Sequence, residues 1–176
     1  MNFDLNKSIA ILKSTPPALE ALLNGLDKEW LHGREGENTW SPYIVVGHLI
    51  HSEKTNWIPR LEIILSSRED KTFDAFDRFA QLKDYNTQTI EELTAEFKSI
   101  RNKSMETLQA KNLSGEDFSK TGVHPQLGTV TLQQLLATWT VHDMTHIAQI
   151  VRVMAKQYSF EVGPWYQNLS ILKDRS

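Results

Sequence analysis

Cysteine is absent from this 176-residue chain, which excludes disulfides, a cysteine nucleophile and any thiolate metal site. A transition-metal site would have to be built from nitrogen and oxygen ligands. An excess of basic charge is missing too. The 19 Lys+Arg stand against 22 Asp+Glu, a net charge of −3 with no basic block, so the electrostatic footprint of a nucleic-acid binder is lacking. No long apolar run occurs: the longest, around Tyr43 to Ile50, falls far short of the ~20 residues of a membrane span. The opening residues, Met1 to Ser8, are too polar for a signal peptide. A cytoplasmic protein with neither nucleic-acid nor membrane partners is the expectation.

What is present, 40% hydrophobic and 23% charged residues, describes one globular domain over residues 1–176. A chain of this length buries roughly 70% of its unfolded surface, enough for a core without a structural metal. Any ion would therefore serve chemistry or local order.

Four segments carry helical periodicity and none reads convincingly as a strand. The first follows Asp4 as N-cap, carries Leu5, Ile9, Leu12, Leu19, Leu22, Leu23 and Leu26, and ends at Gly25; Pro16 and Pro17 should kink or restart it. Ser41 and Pro42 supply the start of a second helix running toward Leu65, with a bend predicted by Pro59. Residues 66–85, with Phe73, Phe76 and Phe79, read as a long connection. The third helix spans about Thr87 to Lys111, and a Gly-punctuated loop leads to a fourth from Thr131 to about Tyr158. Gly163-Pro164 sets off a short tail. The fold class is all-α, a four-helix bundle, and two loops too long for simple hairpins require at least one crossover connection.

The fourth helix holds the informative feature. Leu132, Leu135, Trp139, His142, His146, Ile150 and Val153 follow one another by three or four residues and share one face. Two histidines thus occupy core positions, where desolvation favours the neutral ring that a metal ion requires. Their i, i+4 spacing stacks them on successive turns, as in zinc-binding helices. A third ligand is available in His48, in the enclosed part of the second helix, with His51 in reserve. Three histidines leave coordination positions open and suit zinc or nickel. Metal should then be lost as the pH falls toward 5.

Glu53 reads first as an ion-pair partner for Arg60 or Arg101 and second as a site residue. Trp40, Trp57, Trp139 and Trp165 read as core or pocket wall, and Asp143 as polar surface or a cross-helix contact. Gln149 is either an outer partner of His146 or a bundle-edge amide. His32 and His124, in Gly-rich loops, read as exposed turn residues.

The segments W-S-P-Y-I-V-V-G-H-L-I-H-S-E, H-P-Q-L-G-T-V-T-L-Q-Q-L-L and V-H-D-M-T-H-I-A-Q-I resemble the DinB/YfiT-like superfamily of metal-binding four-helix bundles, and the similarity extends over nearly the whole chain. The resemblance implies an up-down-down-up bundle, frequent homodimers, zinc or nickel, and His48, His142 and His146 as the ligands. One departure is His51, where many relatives have Asp. Relatives include thiol S-transferases that use bacillithiol or a similar small thiol, mycothiol-dependent isomerases and YfiT-like hydrolases. The leading expectation is a metal-dependent transferase that activates a low-molecular-weight thiol toward an electrophile. The alternatives are a metal-dependent hydrolase, with Glu53 or His51 as general base, and a non-catalytic metal-binding bundle.

Overall fold

Each long helix begins on the capping residue that its sequence supplies. The Asp4 carboxylate accepts from the Lys7 N–H at 3.0 Å, and the Ser41 hydroxyl accepts from the Ile44 N–H at 3.4 Å. Thr89 with Glu92, and Thr131 with Gln134, form reciprocal capping boxes. The computed structural model describes residues 1–85 and 87–173. In chain order its helices are α1 (Leu5–Leu23), α2 (Lys28–His32), α3 (Pro42–Thr55), α4 (Trp57–Leu65), α5 (Gln81–Asp84) and α6 (Ile90–Ala110). They are followed by strands β1 (Thr121–His124) and β2 (Gly128–Thr131), then by α7 (Leu132–Gln157) and two short 3-10 turns.

Two expectations about proline resolve differently. The second predicted helix does break, at Asn56 between α3 and α4 (φ −112°, ψ −62°). The break falls where the Pro59 ring would meet the carbonyl four residues back, that of Thr55. The first helix neither kinks into two elements nor restarts: α1 runs unbroken through Pro16 and Pro17. Pro16 has no N–H to offer the Leu12 carbonyl, and a side chain from another helix fills the gap, because Arg101 Nη1 donates to Leu12 O at 2.8 Å.

Contacts fix the topology. Asn24 accepts from Thr94 and Lys13 donates to Gln109, so α1 and α6 are antiparallel. Lys54 pairs with Glu96 and Lys111 with Glu62, so α3–α4 runs parallel to α6. His48 meets His142 while Glu53 meets Trp139, so α7 opposes α3. The bundle is up-down-down-up, with long connections between its main helices. No helix among the described residues is long and apolar enough to cross a membrane.

The core has two clusters, one around Leu19, Val46, Leu49 and Phe97 and one around Leu12, Trp57, Leu61, Met105 and Trp139. Arg101 lies against a ring from each, 4.8 Å from the Phe97 centroid and 5.3 Å from that of Trp139. Its guanidinium also pairs with Glu53 Oε1 at 2.7 Å and with both oxygens of Asp143 at 2.6 and 3.1 Å. Asp143 is therefore an interior cross-helix residue, with none of the surface character allowed for it.

An antiparallel hairpin, β1–β2, corrects the purely helical expectation. It is tied to the connection after α4 by two backbone bonds of 2.9 Å, from the Phe73 N–H to Val123 O and from the Val123 N–H to Lys71 O. A Cβ at Gly122 would stand 2.5 Å from Phe73 Cε1, so glycine lets the ribbon seat on that ring. Trp165, read as core or pocket wall, is 70% exposed.

Candidate metal centre

Three ring nitrogens converge between α3 and α7. His142 Nε2 lies 3.2 Å from His48 Nε2 and 3.2 Å from His146 Nε2, and the potential ligand atoms of the three residues all fall within 4.8 Å of one another. Zinc–nitrogen bonds of about 2.0–2.1 Å at a tetrahedral angle separate two nitrogens by about 3.4 Å, so this spacing fits a single divalent cation. The tautomer of His146 fits as well, whereas His48 Nδ1 and His142 Nδ1 are buried without a partner among the described residues. His146 Nδ1 is 2.8 Å from Gln149 Oε1, an acceptor, so Nδ1 carries the proton and Nε2 presents its lone pair to the centre. Gln149 is thus the outer partner of His146, the first of its two readings.

Rings close the site on the bundle side. Trp40 is stacked with His146 and 4.8 Å from His48; Trp57 meets His142 edge-on at 5.0 Å and stacks on Trp139; Phe76 meets His48 edge-on. Trp40 and Trp57 serve as cavity wall, as read from the sequence. This apolar enclosure governs the protonation states. Burial, reinforced by repulsion from His146, His51 and Arg78, lowers His48 to about 3, and burial with His146, His48 and Arg101 lowers His142 to about 2. His146 is also lowered by burial, but Gln149 and Asp143 oppose the shift.

The sign of the resulting pH dependence follows. An imidazole whose folded pKa is depressed binds fewer protons than it does in the unfolded chain, so its contribution to stability is complete above about 6.5 and is lost as the pH falls toward the folded value. We predict that the urea midpoint of metal-free protein drops as the pH is lowered from 7 to 4, and that His142→Phe flattens this drop. Equal slopes in the two proteins would contradict it. Glu53, raised by burial in spite of Arg101, contributes with the opposite sign. Burial also bears on the expected loss of metal toward pH 5: with His48 and His142 held so low, proton competition there is weaker than three freely titrating rings would give.

Above the three rings opens a cavity of about 530 Å³. Its lining includes Asn56, Thr138 and Gln134, together with Arg60, Arg78 and His124, but no Asp or Glu among the described residues. Glu53 and His51, the candidate general bases, are not on this wall. Glu53 is 3% exposed, with Oε1 accepting from Arg101 and from Trp139 Nε1. Of its two possible partners Arg101 is the one it takes. His51 is half-buried with its ring 5.2 Å from Phe76. His124, read as an exposed turn residue, is half-buried on the cavity wall because the hairpin folds it there.

The sequence model of the DinB superfamily matches residues 11–150. No curated protein matches the chain. Among solved structures the chain is similar to YfiT from Bacillus subtilis, described as a probable metal-dependent hydrolase with an unusual four-helix bundle topology. That likeness has 21% identity over 87% of each chain and a TM-score of 0.74, and it supports the fold assigned from the contacts.

Proposed function

The chain belongs to the DinB superfamily, and on that premise we propose that it is a metal-dependent enzyme, a transferase that activates a low-molecular-weight thiol of the bacillithiol type at His48, His142 and His146. The observation that carries the proposal is the convergence of three Nε2 atoms beneath an open cavity whose wall, among the described residues, has no carboxylate. A zinc or nickel ion held there would supply a Lewis acid that lowers the pKa of a group placed in its open position. A thiol, with a free pKa of about 8.5, needs only a small shift to ionise at neutral pH, whereas water needs a far larger one. A wall without a carboxylate base therefore suits the thiol. Trp40, Trp57 and Phe76 pack against the imidazoles and give the cavity an apolar lining, and the protein has no thiol of its own to compete.

Cobalt-loaded protein should develop a sulfur-to-cobalt charge-transfer band when a small thiol is added, and should turn over 1-chloro-2,4-dinitrobenzene. Absence of both would overturn the proposal. Hydrolysis is the second reading, favoured by the description of YfiT. It predicts activity on an ester, amide or phosphoester panel without added thiol, and loss of that activity in Glu53→Gln or His51→Ala if either is the base. A homodimer is proposed on the exposed apolar stripe Val141, Met144 and Val151 of α7, whose spacing gives one helix face. Sedimentation should return twice the 20.2 kDa chain mass; a single-chain mass would refute it.

A further inference from the structure

The cavity over the imidazoles has a chemical feature that metal activation leaves unused. Arg60, on α4, is only 8% exposed and lines the cavity. A guanidinium withdrawn from water is normally compensated by a carboxylate, because its desolvation is otherwise costly. Among the described residues, Arg60 has no carboxylate oxygen within 4.0 Å. Its one side-chain hydrogen bond among the described residues is a 3.5 Å contact from Nη2 to the Asp74 carbonyl, and the Phe73 ring lies 5.1 Å from its centre. The Asp74 carboxylate attracts the charge without pairing with it. Arg101, also buried, makes the contrast: two carboxylates and the Leu12 carbonyl hold it. One buried guanidinium is held through both terminal nitrogens, with only Nε unpartnered, and the other, on the cavity wall, keeps most of its five donors unused among the described residues.

Its neighbours share its sign or its donor character. Arg78 lines the same cavity, and its charge reaches His48. His124 Nδ1 accepts from the backbone N–H groups of Gln126 and Leu127 at 3.1 and 3.2 Å, so the neutral ring carries its proton on Nε2 as a further donor. Among the described residues the wall has no Asp or Glu, so only the attraction of the unpaired Asp74 carboxylate offsets the charge of this side.

We infer that this wall is a receptor for an oxyanion, a carboxylate or phosphate on the substrate or thiol cosubstrate, which pairs with Arg60 while Arg78 and His124 complete its shell. The inference names a substrate class for the site proposed above and rests on that reading for the chemistry; the receptor itself needs no metal. A planar guanidinium fork matches either group bidentately.

Two arms test it. Calorimetric titration of metal-free protein at low ionic strength, with succinate and with glycerol 1-phosphate as probes, reads the receptor alone. One of the two should bind at one per chain, which also identifies the anion. Arg60→Met, which keeps an unbranched stem beside Phe73, should weaken that binding on the order of 10- to 100-fold. Arg78→Met, at an exposed position, should weaken it by less. Binding of neither probe, or binding that both variants leave unchanged, overturns the inference. In the second arm, cobalt-loaded protein is titrated with mercaptosuccinate and with uncharged thioglycerol. Mercaptosuccinate should half-saturate the charge-transfer band at roughly one-tenth the concentration, and Arg60→Met should bring that ratio close to one. Equal half-saturation of the unsubstituted protein by the two thiols also overturns the inference. Bands absent with both thiols would remove the thiol reading, while the calorimetry still decides the receptor.

Discussion

His142→Ala takes the metal content from near one ion per chain to near zero, measured by elemental analysis of untagged protein after incubation with zinc or nickel. His142 Nε2 is the nitrogen that stands 3.2 Å from both of the others. Without it, one ring on α3 and one on α7 remain, and two nitrogen ligands hold a divalent ion weakly. The fold survives, because both core clusters are built from apolar side chains that need no ion, so the far-ultraviolet circular dichroism is unchanged. A graded companion is Gln149→Leu. It removes the acceptor that fixes the His146 tautomer and should weaken the site about 10- to 100-fold without emptying it at saturating metal. Full loading of His142→Ala would exclude the three-histidine site, and its unfolding would contradict a fold independent of the ion.

The second large effect falls on stability. Arg101→Met should lower the unfolding free energy by about 3–5 kcal/mol, the usual consequence of removing one partner from a buried ion pair, read from urea denaturation. Arg101 reaches every main helix of the bundle from its own position on α6. It pairs with Glu53 on α3 and Asp143 on α7, and on α1 it supplies the donor that Pro16 lacks. Its loss strands two carboxylates and one carbonyl in the interior, where no other cation among the described residues pairs with them. The triple change Arg101→Met, Glu53→Gln, Asp143→Asn removes the stranded charges and should recover part of the deficit. A single variant within about 0.5 kcal/mol of the unsubstituted protein, the range of ordinary surface changes, would show that the cluster holds little of the fold together.

The capped helices and the apolar stripe of α7 were legible because local signals decide them: Asp4, Ser41 and Thr131 each hold a backbone N–H three residues on. The histidine face was legible for the same reason, since i, i+4 spacing is a property of one helix. That His48 meets that face is a matter of how α3 packs on α7; its place in an enclosed apolar run made it a candidate, and the resemblance singled it out. Pro16 misled because its remedy, Arg101, lies far away in the chain. The hairpin escaped because strands of four residues carry too little alternation to register, and its docking depends on a bridge to Thr72. His124 was misplaced with it. The unpaired state of Arg60 is invisible in any sequence, since only packing shows which carboxylates fail to reach it.

The ion's seat and the cavity's discriminating wall are carried by different lengths of chain. The imidazoles stand on α3 and α7, whereas much of the wall comes from the connection around Phe73 to Arg78 and from the hairpin tip at His124 to Leu127. The exposed residues of these connections, such as Arg78, Gln126 and Leu127, can be exchanged without disturbing the helices that carry the imidazoles, so on the proposed function substrate preference can change while the three rings keep their places.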